Sequence, residues 1–379
     1  MQRKNRLLLL VHCYHNRAGV EEHVKVLSNG LRDAYDIFLT FPEQGALQLL
    51  CPDGKTLQFP AAQIPLLAPY RSEPMEQALR KVFEAVLPDL IHIVHFVNWP
   101  LGVIDQALAT GKPVVGSFHD YYSVTPHYTM QGLSDPSVTT SAPYAVKTFG
   151  KDVSDYLVKR RAVLSKSIAQ MRARAVPSTY LERQLTSVFS VNFDVINYGI
   201  TPFLVNRVPN EKKLPRFGFL GSLLPQKGWE SLMAGFAQVH AKYPEAALSM
   251  HGGFPAQGKA FPGATFFGAY TQESIPKILS TIDVGIIPSV FAETFSLVLS
   301  ELWQGGVTAA VADIGAMGER VIDGVNGKKF KPGDAGSIAA ALLWFIEHEE
   351  WRAWQIPKPP LADEMCKRYQ DFYERALKG

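Results

Sequence analysis

The chain has 379 residues, of which 47% are hydrophobic and 19% are charged, and its formal net charge is +3. This composition is typical of a globular protein and excludes a mainly disordered chain. The length suffices for two or three domains, and the small net charge gives no indication of nucleic acid as a partner. Cys13, Cys51 and Cys366 lie far apart without a CxxC motif, so we expect no disulfide framework, no zinc site and a reducing compartment.

The amino-terminal stretch MQRKNRLLLLVHCYHN places basic residues before an apolar run, as a signal peptide does. Only Leu7 to Val11 are continuously apolar, which is too short for a signal core or a membrane span. This stretch therefore predicts a buried first strand, and we expect a cytoplasmic protein.

Short apolar runs alternate with longer amphipathic stretches along the whole chain. The predicted strands of the first half are LLLLVHC, DIFLTF, IHIVHF, PVVGSF, RAVPS and VINYG, and those of the second half are FGFLG, ALSMHG, TFFGAY, VGIIPS, VTAAVA and KKFKP. Between the first two runs, Val20, Val24, Leu27 and Leu31 follow helical spacing. Strand–helix alternation predicts an α/β fold with parallel sheets covered by helices, and twelve strands fit two six-stranded, Rossmann-like domains.

The predicted domains are residues 1–200 and 201–360, followed by a last helix at 361–379 that packs back on the first domain. The polar, proline-containing stretch ITPFLVNRVPNEKKLP is the predicted linker, and PKPP precedes the last helix. In parallel sheets of this kind, ligands bind where strands end and helices begin. The loops that follow strands are therefore the places to search for chemistry.

Several common motifs are absent from the sequence. The chain has no GxGxxG, no GxxxxGK[ST], no HExxH and no GxSxG. It also has no DxD that could hold a metal-bound diphosphate. These absences argue against the commonest oxidoreductases, kinases, metalloproteases and hydrolases.

Two loops of the first half carry candidate residues. In RAGVEEH, Gly19 lets the backbone approach a ligand at the start of a helix, although an ordinary turn has the same pattern. In SFHDYYSVTP, His119 lies where a strand ends and can donate or accept a hydrogen bond near neutral pH. A structural histidine is the alternative there.

The loop FGFLGSLLPQKGWESL of the second half ends in Lys227 and Gly228, at the start of a helix. A lysine gains nothing from the dipole at a helix start, which favours negative charge. A bound anion would explain it, and a solvated lysine in a turn is the alternative.

The loop FAETFSLVLSE places Glu293 and Glu301 eight residues apart around a predicted helix from Leu297 to Gln304, with Ser296 as its cap. The free amides at the start of that helix form an anion site. Eight residues of helix span about 12 Å, which is comparable to a sugar–diphosphate–ribose unit. Glu293 could therefore hold sugar hydroxyls, the amides a diphosphate and Glu301 the ribose hydroxyls.

These motifs, in this order, resemble the retaining glycosyltransferases of family 4, which have the GT-B fold of two Rossmann-like domains facing a cleft. The resemblance is strongest in FLGSLLPQKGWESLMAGF, STIDVGIIPS, FAETFSLVLSELWQGG and DIGAMGERVIDGVNGKKFKPGD. It is looser in AGVEEHVKVLSNGL, IHIVHF, GKPVVGSFHDYYSVTP and INYGI. The resemblance implies that a sugar moves from a nucleotide donor to an acceptor with retention at the anomeric carbon, without a metal or further cofactor.

At the matching positions, the resemblance implies that His119 and Glu293 are catalytic and contact the transferred sugar. The donor-binding residues that it implies are Gly19, Ser222, Lys227, Ala269, Tyr270, Phe295, Ser296, Leu297 and Glu301. Residues 269 and 270 would frame the base, residues 19, 227 and 295–297 would lie at the diphosphate, and residue 301 would bind the ribose.

The chain departs from the family pattern at three places. Ala18 precedes Gly19 where the family often has a second glycine, Ser222 replaces an arginine, and Ser296 replaces a glycine. The change at residue 222 removes a charge from the diphosphate site. Two other functions stay open: a sugar-nucleotide epimerase or phosphorylase, and a degenerate non-catalytic domain. An epimerase would need acid–base groups such as His12, His15 or His23.

The implied partners are a UDP- or GDP-linked sugar and a glycan or lipid-linked acceptor. The segment YLVKRRAVLSKSIAQMRARA, residues 156–175, carries six basic residues and no acid. It could contact an anionic membrane and place the protein at the inner face, and a solvated helix face is the alternative. Residues 128–155 match nothing that identifies an acceptor.

Overall fold

The computed structural model describes residues 3–15, 19–129, 149–150, 153–210, 214–253 and 261–378. The chain divides into two compact units. The first contains residues 1–199 together with 361–379, and the second contains residues 200–360. Within the ranges given above, every helix is too short or too polar to cross a membrane.

Among its described residues, the first unit forms one sheet in the order β4-β3-β2-β1-β5-β6-β7-β8. Its strands are β1 Asn5–Leu10, β2 Tyr35–Glu43, β3 Ala46–Leu50, β4 Thr56–Pro60, β5 Leu90–Ile93, β6 Val114–Ser117, β7 Ala173–Val176 and β8 Asp194–Val195. Six of them pair in parallel, and β3 and β4 extend the edge as an antiparallel hairpin.

The sequence predicted six strands for this unit, whereas its described residues form eight. The two strands that the prediction missed are those of the β3–β4 hairpin. Strand β4 is largely exposed, so it lacks the apolar run by which the other strands are recognised. The turn before β3 contains Gln44 and Gly45, both at positive φ, and such a turn also marks an ordinary loop.

Helices of the first unit cover this sheet. They are α1 Gly19–Leu31, α2 Glu73–Val86, α3 Val103–Leu108, α4 Val153–Ala169, α5 Thr179–Phe189 and α11 Ala362–Lys378, which is numbered after the helices of the second unit. Helix α1 buries Val24, Leu27 and Leu31, which confirms the helical spacing of the sequence. Helix α11 buries Tyr369 and Tyr373 in the same core, so the end of the chain packs within the first unit.

The basic segment at 156–175 overlaps helix α4, and one of its cations is not at the surface. Arg160 is buried, donates to the Tyr122 carbonyl and to Tyr156 Oη at 3.3 Å, and lies 4.4 Å above the Tyr122 ring. The expectation that the whole basic face meets solvent or membrane is therefore wrong for Arg160, because its charge serves a buried contact. Lys159 and Lys166 remain exposed.

In the described part of the second unit, the six strands form a parallel sheet in the order β11-β10-β9-β12-β13-β14. They are β9 Phe217–Leu220, β10 Leu248–His251, β11 Ala264–Gly268, β12 Val284–Ile287, β13 Thr308–Ala312 and β14 Gly327–Phe330. All six were predicted. The helices between and after them are α6 Trp229–Lys242, α7 Ile275–Leu279, α8 Leu297–Gln304, α9 Gly315–Arg320 and α10 Ala335–Glu347.

The strand order of each sheet reverses direction once. In the second unit the chain builds outward from β9 on one side and from β12 on the other, and in the first unit from β1 and β5. Ligands of open α/β sheets bind at such a switch point, outside the carboxyl ends of the strands. The loops after β9 and β12 are therefore the candidate site of the second unit.

Candidate active site

The loops that follow β9 and β12 touch each other, and a glycine permits the contact. Gly228 has φ +69°, and a Cβ added to it would lie 1.9 Å from the Pro288 carbonyl oxygen. The Val290 amide also donates to the Gln226 carbonyl at 3.0 Å. Only glycine combines this backbone with this approach, so the sequence KG at 227–228 brings one loop against the other.

Lys227 and Glu293 form an ion pair across these two loops. Lys227 Nζ lies 2.7 Å from Glu293 Oε1, and Ser289 Oγ donates to the same oxygen. Burial would raise the pKa of Glu293, but the charge and hydrogen bond of Lys227 and the Ser289 hydroxyl bring it below its ordinary value. Glu293 is therefore an ionised, buried carboxylate, whereas the Lys227 side chain is 31% exposed and can reach a ligand.

Helix α8 begins at Leu297, as predicted, but the expected side-chain cap is wrong. Ser296 lies in the left-handed region at φ +67°, and its side chain makes no capping hydrogen bond. A residue at that backbone angle is far from the extended conformation of a side-chain cap. Ser296 therefore has a backbone conformation that glycine adopts without strain, at a position where the family pattern often has glycine.

A second cation lies at this loop, and sequence reasoning missed it. Arg320, at the end of α9, donates from Nη1 to the carbonyls of Phe295 and Ser296 at 2.7 and 2.9 Å. Its Nη2 donates to Ser300 Oγ at 2.7 Å. Burial lowers the pKa of Arg320 to about 9, so the guanidinium still carries its charge at neutral pH. This loop therefore has a second cation beside Lys227.

Arg320 reaches the loop because α9 starts directly against it. Gly315 has φ +64°, and a Cβ there would lie 2.6 Å from the Glu293 carbonyl oxygen. The Ala316 amide donates to that same oxygen at 2.8 Å. No pattern in the sequence signals this contact, because it depends on how β13 and α9 turn back toward the end of β12.

Glu301 lies about one turn into α8 and is also buried. Its Oε1 accepts a hydrogen bond from Gln272 Nε2 at 3.1 Å. Tyr270 is partly buried, and burial together with the Glu301 charge raises the pKa of its hydroxyl. Ala269 is exposed beside it. The structure thus places Tyr270 near Glu301, in the second turn of α8, and Lys227 and Glu293 before the start of that helix.

Ser222 lies exposed in the loop after β9, on the stretch that leads to Lys227. In the first unit, Gly19 is the first residue of α1, in the loop after β1. Ala18, the neighbour by which this loop departs from the family pattern, lies outside the described residues.

His119 follows β6 in the first unit and is buried. Its Nδ1 lies 2.6 Å from Tyr198 Oη, and its ring centroid is 4.8 Å from that of His23. Burial and the neighbouring histidines hold the pKa of His119 well below its usual range. The imidazole is therefore neutral near pH 7 and can donate a single hydrogen bond at one nitrogen and accept at the other.

The histidines considered for an epimerase have separate environments. His12 Nε2 lies 3.4 Å from Glu21 Oε1, whereas His15 is exposed with Glu43 at 3.8 Å. His23 is buried, and burial lowers its pKa to about 3. A fourth histidine, His95, follows β5 and lies 3.0 Å from Asp120. Sequence reasoning did not identify the His95–Asp120 pair. His95 follows β5, a strand of the switch point, and Asp120 follows the neighbouring strand β6.

The second-unit site combines a reachable cation, a buried carboxylate, helix amides and a second buried carboxylate in the second turn of the same helix. Cations and helix amides suit an anion such as a diphosphate. Carboxylates accept hydrogen bonds from vicinal hydroxyl groups. Two Rossmann-like units with such a site at the switch point define the class of nucleotide-binding α/β proteins.

Comparison with known families identifies the chain more closely. The model of Glycosyltransferase Family 4 matches residues 17–202, and that of Glycosyl transferases group 1 matches residues 214–348. The chain therefore belongs to the GT-B glycosyltransferases that these two models describe.

Curated relatives agree with this family. The chain is 26% identical over 369 residues to a phosphatidyl-myo-inositol mannosyltransferase of Mycolicibacterium smegmatis, covering 93% of this chain and 86% of the relative. It is 24% identical over 250 residues to a glycogen synthase of Mycobacterium tuberculosis, covering 61% and 59%.

Solved structures share the fold. A glycosyltransferase from Rickettsia africae superposes with a TM-score of 0.70 at 12% identity over 100% of both chains. Anabaena HepE, solved in complex with UDP-glucose, superposes with a TM-score of 0.64 at 14% identity over 98% of this chain and 99% of that one.

Proposed function

We propose that the protein is a retaining, metal-independent hexosyltransferase that moves a sugar from a nucleotide-sugar donor to a glycan or lipid-linked acceptor. The observation that carries this proposal is the Lys227–Glu293 pair in the loop before α8, together with Glu301 about one turn into that helix. This arrangement matches the order of sugar, diphosphate and ribose in a nucleotide sugar.

In this proposal the diphosphate binds at the start of α8, where the amides of residues 295–297 and the Lys227 ammonium supply positive charge. Lys227 then shares its hydrogen bonds between the diphosphate and Glu293. Glu293 faces the donor sugar, and Glu301 accepts from the ribose hydroxyls. Tyr270 and Ala269 frame the base.

The proposed reaction replaces one glycosidic bond by another on the same face of the sugar. The bond between the anomeric carbon and the diphosphate oxygen breaks, and the acceptor oxygen bonds to that carbon. The acceptor proton passes to the departing phosphate. Lys227 and the helix amides stabilise the growing charge on the diphosphate, and the resemblance assigns His119 and Gly19 to the transferred sugar and the diphosphate.

The relatives support classes of donor and acceptor. A mannosyltransferase acting on phosphatidyl-myo-inositol supports a hexose and a lipid-linked polyol, and a glycogen synthase supports a glycan. We propose UDP or GDP as the carrier and a cytoplasmic location. Exposed Lys159 and Lys166 on α4 are the residues of segment 156–175 that would contact an anionic membrane.

A transfer assay with a donor panel tests the proposal. The full chain is incubated in EDTA with UDP- and GDP-linked hexoses and with inositol, phosphatidylinositol and oligosaccharide acceptors, and products are characterised by mass spectrometry and NMR. We expect a product whose anomeric configuration equals that of the donor, and strongly reduced turnover in Glu293→Gln. An inverted product contradicts retention, and donor interconversion without an acceptor indicates an epimerase.

A further inference from the structure

The guanidinium group of Arg320 binds the turn that precedes α8. One guanidinium nitrogen donates to two successive backbone carbonyls, those of Phe295 and Ser296, and the other donates to Ser300 Oγ. The guanidinium carbon lies 4.1 Å from the centre of the Phe295 ring and 4.9 Å from that of Trp303. Three acceptors and two aromatic rings therefore fix the position of this side chain.

The contact between Arg320 and the two carbonyls also determines the direction in which two backbone amides point. The described peptide bonds are trans, and in a trans peptide the N–H points away from the preceding C=O. Because Arg320 binds the carbonyls of Phe295 and Ser296, the amides of Ser296 and Leu297 point away from Arg320. These are two of the amides assigned to the diphosphate in the proposed function.

The backbone of this turn is strained at Ser296, so contacts from other residues are needed to keep it in place. Ser296 has φ +67°, a conformation that costs a residue with a Cβ about 1–2 kcal/mol. The planar guanidinium holds the two carbonyls with one nitrogen and Ser300 Oγ with the other, in a fixed geometry. A lysine ammonium is a single point donor on a flexible stem and cannot reproduce both ends of this contact. The partly buried charge also adds positive potential behind the amides.

We propose that Arg320 is a positioning residue for diphosphate recognition: it clamps the Phe295–Ser296 backbone so that the Ser296 and Leu297 amides face the ligand. It acts through the backbone and does not touch the ligand. This inference rests on the proposed function, because it takes the diphosphate to bind at the start of α8.

The experiment compares UDP with UMP, which lacks the second phosphate, in wild type, Arg320→Lys and Ser300→Ala, by calorimetric titration of the full chain. GDP and GMP take their place if the wild type binds only guanine nucleotides. We expect Arg320→Lys to lower UDP affinity at least tenfold and UMP affinity less than threefold. Ser300→Ala removes one of three acceptors of Arg320 and should show the same pattern with a two- to fivefold loss.

A double variant separates positioning from general packing. Glycine adopts the backbone of Ser296 without strain, so Ser296→Gly added to Arg320→Lys should recover at least half of the lost UDP affinity on a logarithmic scale. UDP affinity in Arg320→Lys equal to wild type, or equal losses for UDP and UMP, overturns the inference. So does the absence of any recovery in the double variant. A wild type that binds neither diphosphate contradicts the proposed function instead.

Discussion

At the scale of single residues, Glu293 and Glu301 have different surroundings although they have the same side chain. Glu293 is paired with Lys227 at 2.7 Å, whereas Glu301 accepts from the neutral Gln272. In the proposed function Glu293 faces the donor sugar and can act on the charge that develops there, whereas Glu301 holds the ribose hydroxyls. Substitutions of the two residues should therefore have different effects on donor binding and turnover.

We predict that Glu301→Ala weakens donor binding by about 1–3 kcal/mol, the scale of a hydrogen bond to a charged group. Glu293→Gln should mainly lower turnover, with a smaller change in donor affinity. The measurement is steady-state kinetics combined with donor titration, and Gln272→Ala serves as the neighbour control with a loss smaller than that of Glu301→Ala. If both glutamate variants lose donor affinity to the same extent and keep their turnover, the proposed order of the two residues along the donor is wrong.

His119 and Tyr198 form a hydrogen bond whose direction can be predicted. Burial raises the pKa of Tyr198 well above its usual range, so its hydroxyl keeps its proton. A phenol is the better donor and a neutral imidazole nitrogen the better acceptor, so at 2.6 Å we expect Tyr198 Oη–H to donate to His119 Nδ1. The His119 proton is then at Nε2.

Nitrogen NMR of histidine-labelled protein measures this tautomer directly. We predict the Nε2–H form in the wild type, with no titration of His119 between pH 5 and 8 because its pKa is lowered. Tyr198→Phe should remove the preference for this form and lower turnover. A wild-type His119 with its proton at Nδ1 would reverse the assignment.

At the scale of elements, the contact between the loops after β9 and β12 depends on Gly228. Gly228→Ala places a Cβ 1.9 Å from the Pro288 carbonyl oxygen and also strains a left-handed backbone. We predict a stability loss of about 2–5 kcal/mol, from about 1–3 for overpacking and about 1–2 for the backbone. Donor affinity should fall as well, because Lys227 is displaced.

Gly306→Ala is the matched control for this prediction. Gly306 has φ +64°, and no described atom lies within 4 Å of the position of an added Cβ. Gly306→Ala therefore introduces the backbone strain without the steric collision. It should lower the free energy of unfolding by about 1–2 kcal/mol and leave donor affinity unchanged. Urea unfolding of both variants measures the difference, and equal losses would show that the approach to Pro288 is unimportant.

The same elements show how far the sequence predicts the structure. Strands β9, β12 and β13 are recognisable because each is a fully buried apolar run, whereas β11 and β14 are only partly buried. Lys227, Glu293 and Glu301 are recognisable because they follow strands or lie on the helix after one. Strand β4 was missed because it is exposed. Arg320 was missed because its contact joins two loops through the fold of β13 and α9, which no local spacing records.

At the scale of the whole molecule, a buried histidine makes stability depend on pH. His23 on α1 faces His119, Tyr198 and Tyr369 at ring distances of 4.8, 5.0 and 5.3 Å, and burial lowers its pKa to about 3. Between about pH 3 and 6.5 the unfolded chain therefore holds a proton at His23 that the folded chain lacks. Stability falls as the pH falls through this window.

We predict that His23→Phe makes the pH dependence of unfolding shallower. One proton of difference corresponds to about 1.4 kcal/mol per pH unit, so the difference in slope between wild type and variant should approach this value between pH 6 and 4. His92 and His119 also have lowered pKa values and will leave the variant with a residual slope. Urea unfolding at pH 7, 6, 5 and 4 measures it, and identical slopes in both proteins would contradict the prediction.

In the proposed function, Lys227 and the helix amides, rather than a metal ion, hold the diphosphate of the donor. Calorimetric titration of the full chain with UDP and GDP, in EDTA and again in magnesium, tests it most directly, with Lys227→Ala and the exposed Lys331→Ala as a matched pair. We predict that at least one nucleotide binds equally well in both buffers and that Lys227→Ala alone weakens it by about 1.5–3 kcal/mol. Binding that EDTA abolishes and magnesium restores, or an affinity unchanged by Lys227→Ala, would contradict this account.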